Sequence, residues 1–117
     1  MNNFTIYHNS RCSKSRQTLE ILLKNNFDPI IVLYIQDPLS SAEIQEILIK
    51  LNKNPRDILR KSEQKYKELK LSNKNLSDNE LIEFMQKNPK LIERPIVTRG
   101  NLAIVGRPPE NVFKLIN

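Results

Sequence analysis

The amino-acid sequence predicts an α/β fold, ordered βαβ, then an all-helical insertion at about residues 40–93 between the second and third strands, then ββα. Three stretches carry that expectation. A short β-like run around Phe4 and Ile6 passes through a polar loop into a helical run with Leu19, Leu22 and Leu23 on one face. Ile30 to Ile35 is a continuous apolar run, which suits a strand covered on both faces of a parallel sheet. From Pro95 onward, two short β runs flank Arg99-Gly100-Asn101, where glycine supplies the positive φ of a tight antiparallel hairpin.

Taken in order, the first strand, helix and second strand have so short a crossover that they make a right-handed βαβ unit. Asp37-Pro38 ends the second strand. Ser40-Ser41-Ala42-Glu43 is a capping box for a helix with Ile44, Ile47, Leu48 and Leu51 at helical spacing. Asn54-Pro55 starts a short helix through Ile58, Leu59 and Arg60, with proline where a missing N–H costs nothing. Ser77 and Glu80 repeat the capping box ahead of Leu81, Ile82 and Met85, and Asn88-Pro89 begins one more turn. After the hairpin strands, Pro95 to Thr98 and Leu102 to Val105, Gly106-Arg107-Pro108-Pro109 leads to a last helix with Val112, Phe113 and Ile116.

At 117 residues a single domain is expected, large enough to bury a core without disulfides or a metal. The single cysteine rules out an internal disulfide and suits a reducing cytosol. No secretory apolar segment precedes the first strand, and no apolar run nears membrane-spanning length, so a cytoplasmic protein without a membrane partner is expected. The net charge of +6 and pI near 9.6 raise nucleic acid as a ligand. Yet the lysines are scattered among Glu and Asp with no aromatic interleaving, which argues against it. A small anion needs only a few of these charges, correctly placed.

His8-Asn9-Ser10-Arg11-Cys12-Ser13-Lys14-Ser15-Arg16 holds the only cysteine and the only histidine. A thiol at the mouth of a helix meets the positive end of the macrodipole and the unpaired first-turn N–H groups, both of which favour the thiolate. Arg11, Lys14 and Arg16 push the same way. Free cysteines are often buried as small hydrophobes, but three residues on each side of Cys12 lack any apolar side chain. Cys12 therefore reads as an activated nucleophile. His8 is either a hydrogen-bond partner that tunes Cys12 or a polar strand end. With no second Cys or His, a metal site of that kind is not expected. Cys12-x-x-Ser15 carries serine where a disulfide oxidoreductase has its second cysteine, so any sulfur adduct at Cys12 must be cleared by an external thiol. Ser15 can still donate a hydrogen bond and is grouped with the substrate-binding residues.

Arg60, Arg94 and Arg107 each sit at a break in regular structure. Any one alone is an ordinary solvated charge. Together they could clamp a tetrahedral oxyanion bidentately and offset its repulsion by an attacking thiolate. A Cys-x5-Arg phosphatase loop is absent, since the residue six after Cys12 is Thr18, and Gly100 and Gly106 make no phosphate-cradling loop.

Tyr7 through Arg16, then Leu33-Tyr34, Ile58-Leu59-Arg60-Lys61, Asn88-Pro89-Lys90-Leu91-Ile92-Glu93-Arg94-Pro95-Ile96-Val97 and Gly106-Arg107-Pro108 together resemble the glutaredoxin-coupled arsenate reductase family. The resemblance spans essentially the whole chain and is stronger to the arsenate reductase-like subgroup, which has a basic residue before the cysteine. It implies a thioredoxin-like fold with Cys12 as nucleophile and His8 linked to activating it. Arg60, Arg94 and Arg107 would hold arsenate, and the Arg94-Pro95 peptide would be cis, making Pro95 a structural residue. It also implies glutathione as co-substrate with no tightly bound cofactor, glutaredoxin as partner and arsenite as product. The broader family includes Spx-type regulators that bind RNA polymerase. Those generally carry Cys-x-x-Cys, a pattern Ser15 breaks.

Overall fold

The structure, a computed structural model, describes residues 3–116. Its contacts divide the chain into two compact units, the first running to Asp37 and resuming at Arg94, the second from Pro38 to Glu93.

The first unit holds a four-stranded sheet of order β2-β1-β3-β4, built from β1 (Phe4–Tyr7), β2 (Ile30–Val32), β3 (Ile96–Arg99) and β4 (Leu102–Val105). β1 runs parallel to β2, with Ile6 opposite Ile31, and antiparallel to β3, with Ile6 opposite Val97. The β3–β4 hairpin turns through Gly100 at φ +60, a left-handed conformation that favours glycine. Two helices belong to this unit: α1 (Ser13–Lys24) and a short C-terminal helix (Phe113–Ile116), which follows a 3-10 turn over Pro109–Val112. Phe4, Ile6, Leu22, Val97, Val112 and Leu115 form its buried core. The Arg99 guanidinium lies 4.7 Å from the Phe4 ring centre and 5.4 Å from that of Phe27, and its Nη1 donates to the Leu115 carbonyl at 2.6 Å. That contact ties the last helix to the end of β3.

Three sequence readings of this unit change. The Ile30–Ile35 run is not a strand covered on both faces. Only three residues pair, on the sheet edge, and Ile30 and Ile31 are 67% and 47% exposed. The strand stops because the Leu33 carbonyl accepts from the Gln36 and Asp37 amides, which bends the chain into a turn before Pro38. On α1 the buried positions are Ser15, Thr18 and Leu22, with Leu23 exposed. An apolar pattern could not show that two small hydroxyl residues share the inward face. Phe113 is exposed too, and Leu115 fills the core position beside Val112.

The second unit contains α2 (Ser41–Leu51), α3 (Gln64–Glu68) and α4 (Asp78–Lys87), with 3-10 turns at Pro55–Ile58 and Pro89–Leu91; the C-terminal helix is therefore α5. Both predicted capping boxes form. Ser40 and Ser77 accept from the amides of Glu43 and Glu80, whose carboxylates accept the N-cap amides in return. α2 packs on α4, and Ile44, Ile47, Leu48, Leu51, Leu81, Ile82 and Met85 are buried. The turn after Asn54 ends at Ile58 rather than continuing to Arg60. Leu59 is extended and forms an antiparallel bridge with Ile92. The Arg60 amide donates to the Leu91 carbonyl at 2.7 Å and the Glu93 amide to that of Ile58 at 2.8 Å. Among the described residues no helix is long and apolar enough to cross a membrane.

Candidate active site

The site begins where β1 ends. His8 donates its amide to the Val32 carbonyl at 2.9 Å, so the polar loop leaves the sheet between two parallel strands. Asn9 then winds that loop. Its carbonyl accepts the Cys12 amide at 3.0 Å, its side-chain Oδ1 accepts the Arg11 amide at 3.0 Å, and its own amide donates to Ser15 Oγ at 3.1 Å. Sequence reasoning passed over Asn9, although an asparagine bonding the backbone two residues on is a known turn former. The turn delivers Cys12 as the N-cap of α1, in extended conformation and half-buried, without a side-chain capping bond.

The sulfur faces two amides and two arginines. Burial pushes the Cys12 thiol up. The amide of Ser15, a hydrogen bond from the Arg94 side chain, the amide of Lys14 and the charge of Arg94 together outweigh it, so the thiol is held below its usual value. Arg107 Nη1 lies 3.7 Å from Cys12 Sγ and donates to the Arg94 carbonyl at 3.2 Å. The basic residues next to Cys12 act otherwise than their charge suggested. Lys14 contributes its backbone N–H, and Arg16 donates to the Ser10 carbonyl at 2.9 Å. The expected result in solution is a thiolate midpoint below the free-thiol value of about 8.5, read from ultraviolet absorbance against pH. A midpoint at or above that value would mean burial wins over the amides and Arg94.

His8 and Ser15 form a buried pair, with Nδ1 and Oγ 2.6 Å apart. Burial first, then the charge of Arg16, hold the His8 imidazole below its usual value. Both causes favour the neutral imidazole over the imidazolium. The Ser15 hydroxyl, expected to face substrate, is turned inward to His8 and the Asn9 amide. Ser15 meets the sulfur through its backbone instead.

Arg94 and Arg107 reach the site because the ends of β3 and β4 are joined there. The Gly106 amide donates to the Pro95 carbonyl at 2.8 Å. The Arg94–Pro95 peptide is cis, as is Arg107–Pro108. Arg60 belongs to the helical unit, where its guanidinium pairs with Glu63 at 3.4 Å and Glu93 at 3.2 Å. Of the predicted residues, the first unit therefore brings together His8, Cys12, Ser15, Arg94, Pro95 and Arg107. An activated thiolate faced by guanidinium donors can attack the central atom of an oxyanion while those donors hold its oxygens.

Known proteins of similar sequence and fold include arsenate reductases. A model of the ArsC family matches residues 7–115. The chain is 46% identical to the uncharacterized protein YfgD of Escherichia coli strain K12, over 95% of this chain and 94% of that one. It is 45% identical to an arsenate reductase of Haemophilus influenzae, over 95% of this chain and 97% of the relative. The solved arsenate reductase of Vibrio cholerae superposes with a TM-score of 0.93 at 42% identity, covering 95% of each chain. The thioredoxin-like architecture is accordingly that of solved arsenate reductases. Since the family match and these relatives extend over nearly the whole chain and include the Cys12 loop and both arginine segments, the chain belongs to the ArsC family.

Proposed function

We propose that the protein reduces arsenate to arsenite through a covalent adduct at Cys12, with glutathione and glutaredoxin as electron donors in the cytoplasm. The observation that carries this reading is the contact of Arg94 and Arg107 with the lowered-pKa Cys12 sulfur. In this scheme the thiolate forms a bond to arsenic, and one arsenate oxygen leaves as water with protons from solvent. A glutathione thiolate then attacks the Cys12 sulfur, the sulfur–arsenic bond breaks, and its electron pair stays on arsenic. Arsenic thereby passes from the +5 to the +3 state, and Cys12 is left in a mixed disulfide with glutathione. A glutaredoxin thiol takes over the glutathione by exchange and returns Cys12 as thiolate.

The external thiol is required by this chain itself. Cys12 is the only cysteine, and Ser15 stands where a resolving thiol would have to be. No tightly bound cofactor enters the scheme. The guanidinium groups place the negative oxygens and reduce their repulsion by the approaching thiolate, and the helix-start amides stabilise the thiolate before attack and on release. The test is arsenate-dependent NADPH consumption coupled through glutathione, glutaredoxin and glutathione reductase. Turnover that requires all three components is expected. Turnover with another oxyanion or with a mixed disulfide, but not arsenate, would transfer the same chemistry to that substrate. No turnover together with binding to RNA polymerase subunits would favour an Spx-like regulator.

A further inference from the structure

We infer that Gly106 is a positioning residue for the reaction, through which the segments carrying Arg94 and Arg107 are seated against the helix that presents Cys12. The inference rests on the roles proposed above for those three residues. Gly106 is buried at the end of β4. Its φ is not in the left-handed region, since among the described glycines only Gly100 has a positive φ, so alanine could adopt the same backbone. Space is what excludes a side chain. A Cβ on Gly106 would lie 2.6 Å from Thr18 Oγ1, 2.8 Å from Pro95 Cγ and 3.2 Å from Pro95 Cδ. The first two approaches are closer than carbon side chains tolerate, so a neighbour must shift.

Neither neighbour is the loose end of a flexible side chain. Thr18 is fully buried on α1, and its hydroxyl donates to the Lys14 carbonyl at 2.8 Å and lies 3.5 Å from the Gly106 carbonyl. Pro95 is a buried ring. These three residues are covalent neighbours, or lie within one helical turn, of every group on the sulfur. Arg107 follows Gly106, Arg94 precedes Pro95, and Thr18 lies on the same inward face of α1 as Ser15, whose amide faces Cys12. A methyl at Gly106 therefore pushes the arginine segments away from α1. Hydrogen bonds weaken steeply with misalignment, so the Arg94 contact with the sulfur weakens with even a small displacement.

The experiment measures the Cys12 thiolate midpoint, arsenate KM and melting temperature for Gly106→Ala, Thr18→Ala and the double variant. Gly106→Ala is expected to raise the midpoint by about one pH unit, as loss of a paired charge does, and arsenate KM about tenfold. In the double variant the nearest obstacle is gone and only Pro95 remains, so its midpoint should lie between those of Gly106→Ala and Thr18→Ala. A lower melting temperature with an unmoved midpoint overturns the inference, because it would report packing alone. If Gly106→Ala does not fold, a double variant with the same midpoint as Thr18→Ala overturns it equally. The midpoint is read without any oxyanion, so failure of the arsenate reading would leave this test standing.

Discussion

Cys12→Ser should abolish arsenate turnover, by at least about a thousandfold, while leaving the protein as stable as before or slightly more so. The loss follows from the chemistry. A serine hydroxyl at a helix start stays protonated at neutral pH, forms no bond to arsenic and has no route to a mixed disulfide with glutathione. The stability follows from position. Cys12 is the N-cap of α1 and makes no side-chain capping bond there. Serine is among the best N-cap residues, worth about 0.5–2 kcal/mol over a non-capping residue. The variant also divides binding from chemistry, because Arg94 and Arg107 remain. Isothermal titration with arsenate should still show heat of binding, whereas coupled NADPH oxidation should be flat. Residual turnover within tenfold of the wild type would show that another group does the attacking.

Arg94→Lys and Arg107→Lys should each lower kcat/KM for arsenate about ten- to a hundredfold, since lysine keeps the charge and loses the fork. They should differ in a second measurement. Arg94 hydrogen-bonds the Cys12 sulfur and also acts on it by charge, so Arg94→Lys should raise the thiolate midpoint. Arg107 touches the sulfur only at 3.7 Å and is anchored on the Arg94 carbonyl, so Arg107→Lys should move the midpoint less. Lys74→Gln, at an exposed position, serves as the control for bulk charge. Arg99 is unsuitable for that purpose, because it holds α5 through the Leu115 carbonyl and covers Phe4 and Phe27. Equal, small losses in both arginine variants and the lysine control would return the arginines to the solvated surface.

What the sequence determined by itself was local. The two capping boxes, the Gly100 turn and Cys12 at the start of α1 depend on groups within about four residues of one another, and hydrogen bonds of that reach can be read from spacing. The lone thiol's need for an external reductant also follows from cysteine count alone. Tertiary structure decided what covers an apolar run and which charges act. Ile30 and Ile31 are exposed because β2 lies at the sheet edge, and edge position belongs to the strand order rather than to the run. Arg11, Lys14 and Arg16 are the cations nearest to Cys12 in sequence. Yet Arg94 supplies the charge at its sulfur, because β3 pairs directly with β1 and brings the start of the hairpin to the start of α1. Gly106 stands in one of the motifs that carry the family resemblance, but why it must lack a side chain is not legible there, since that requirement arises only when β4, Pro95 and Thr18 close on the same space. A helix or turn follows from neighbours in the chain, whereas the electrostatics of a thiol depend on distance in space, and folding sets that distance.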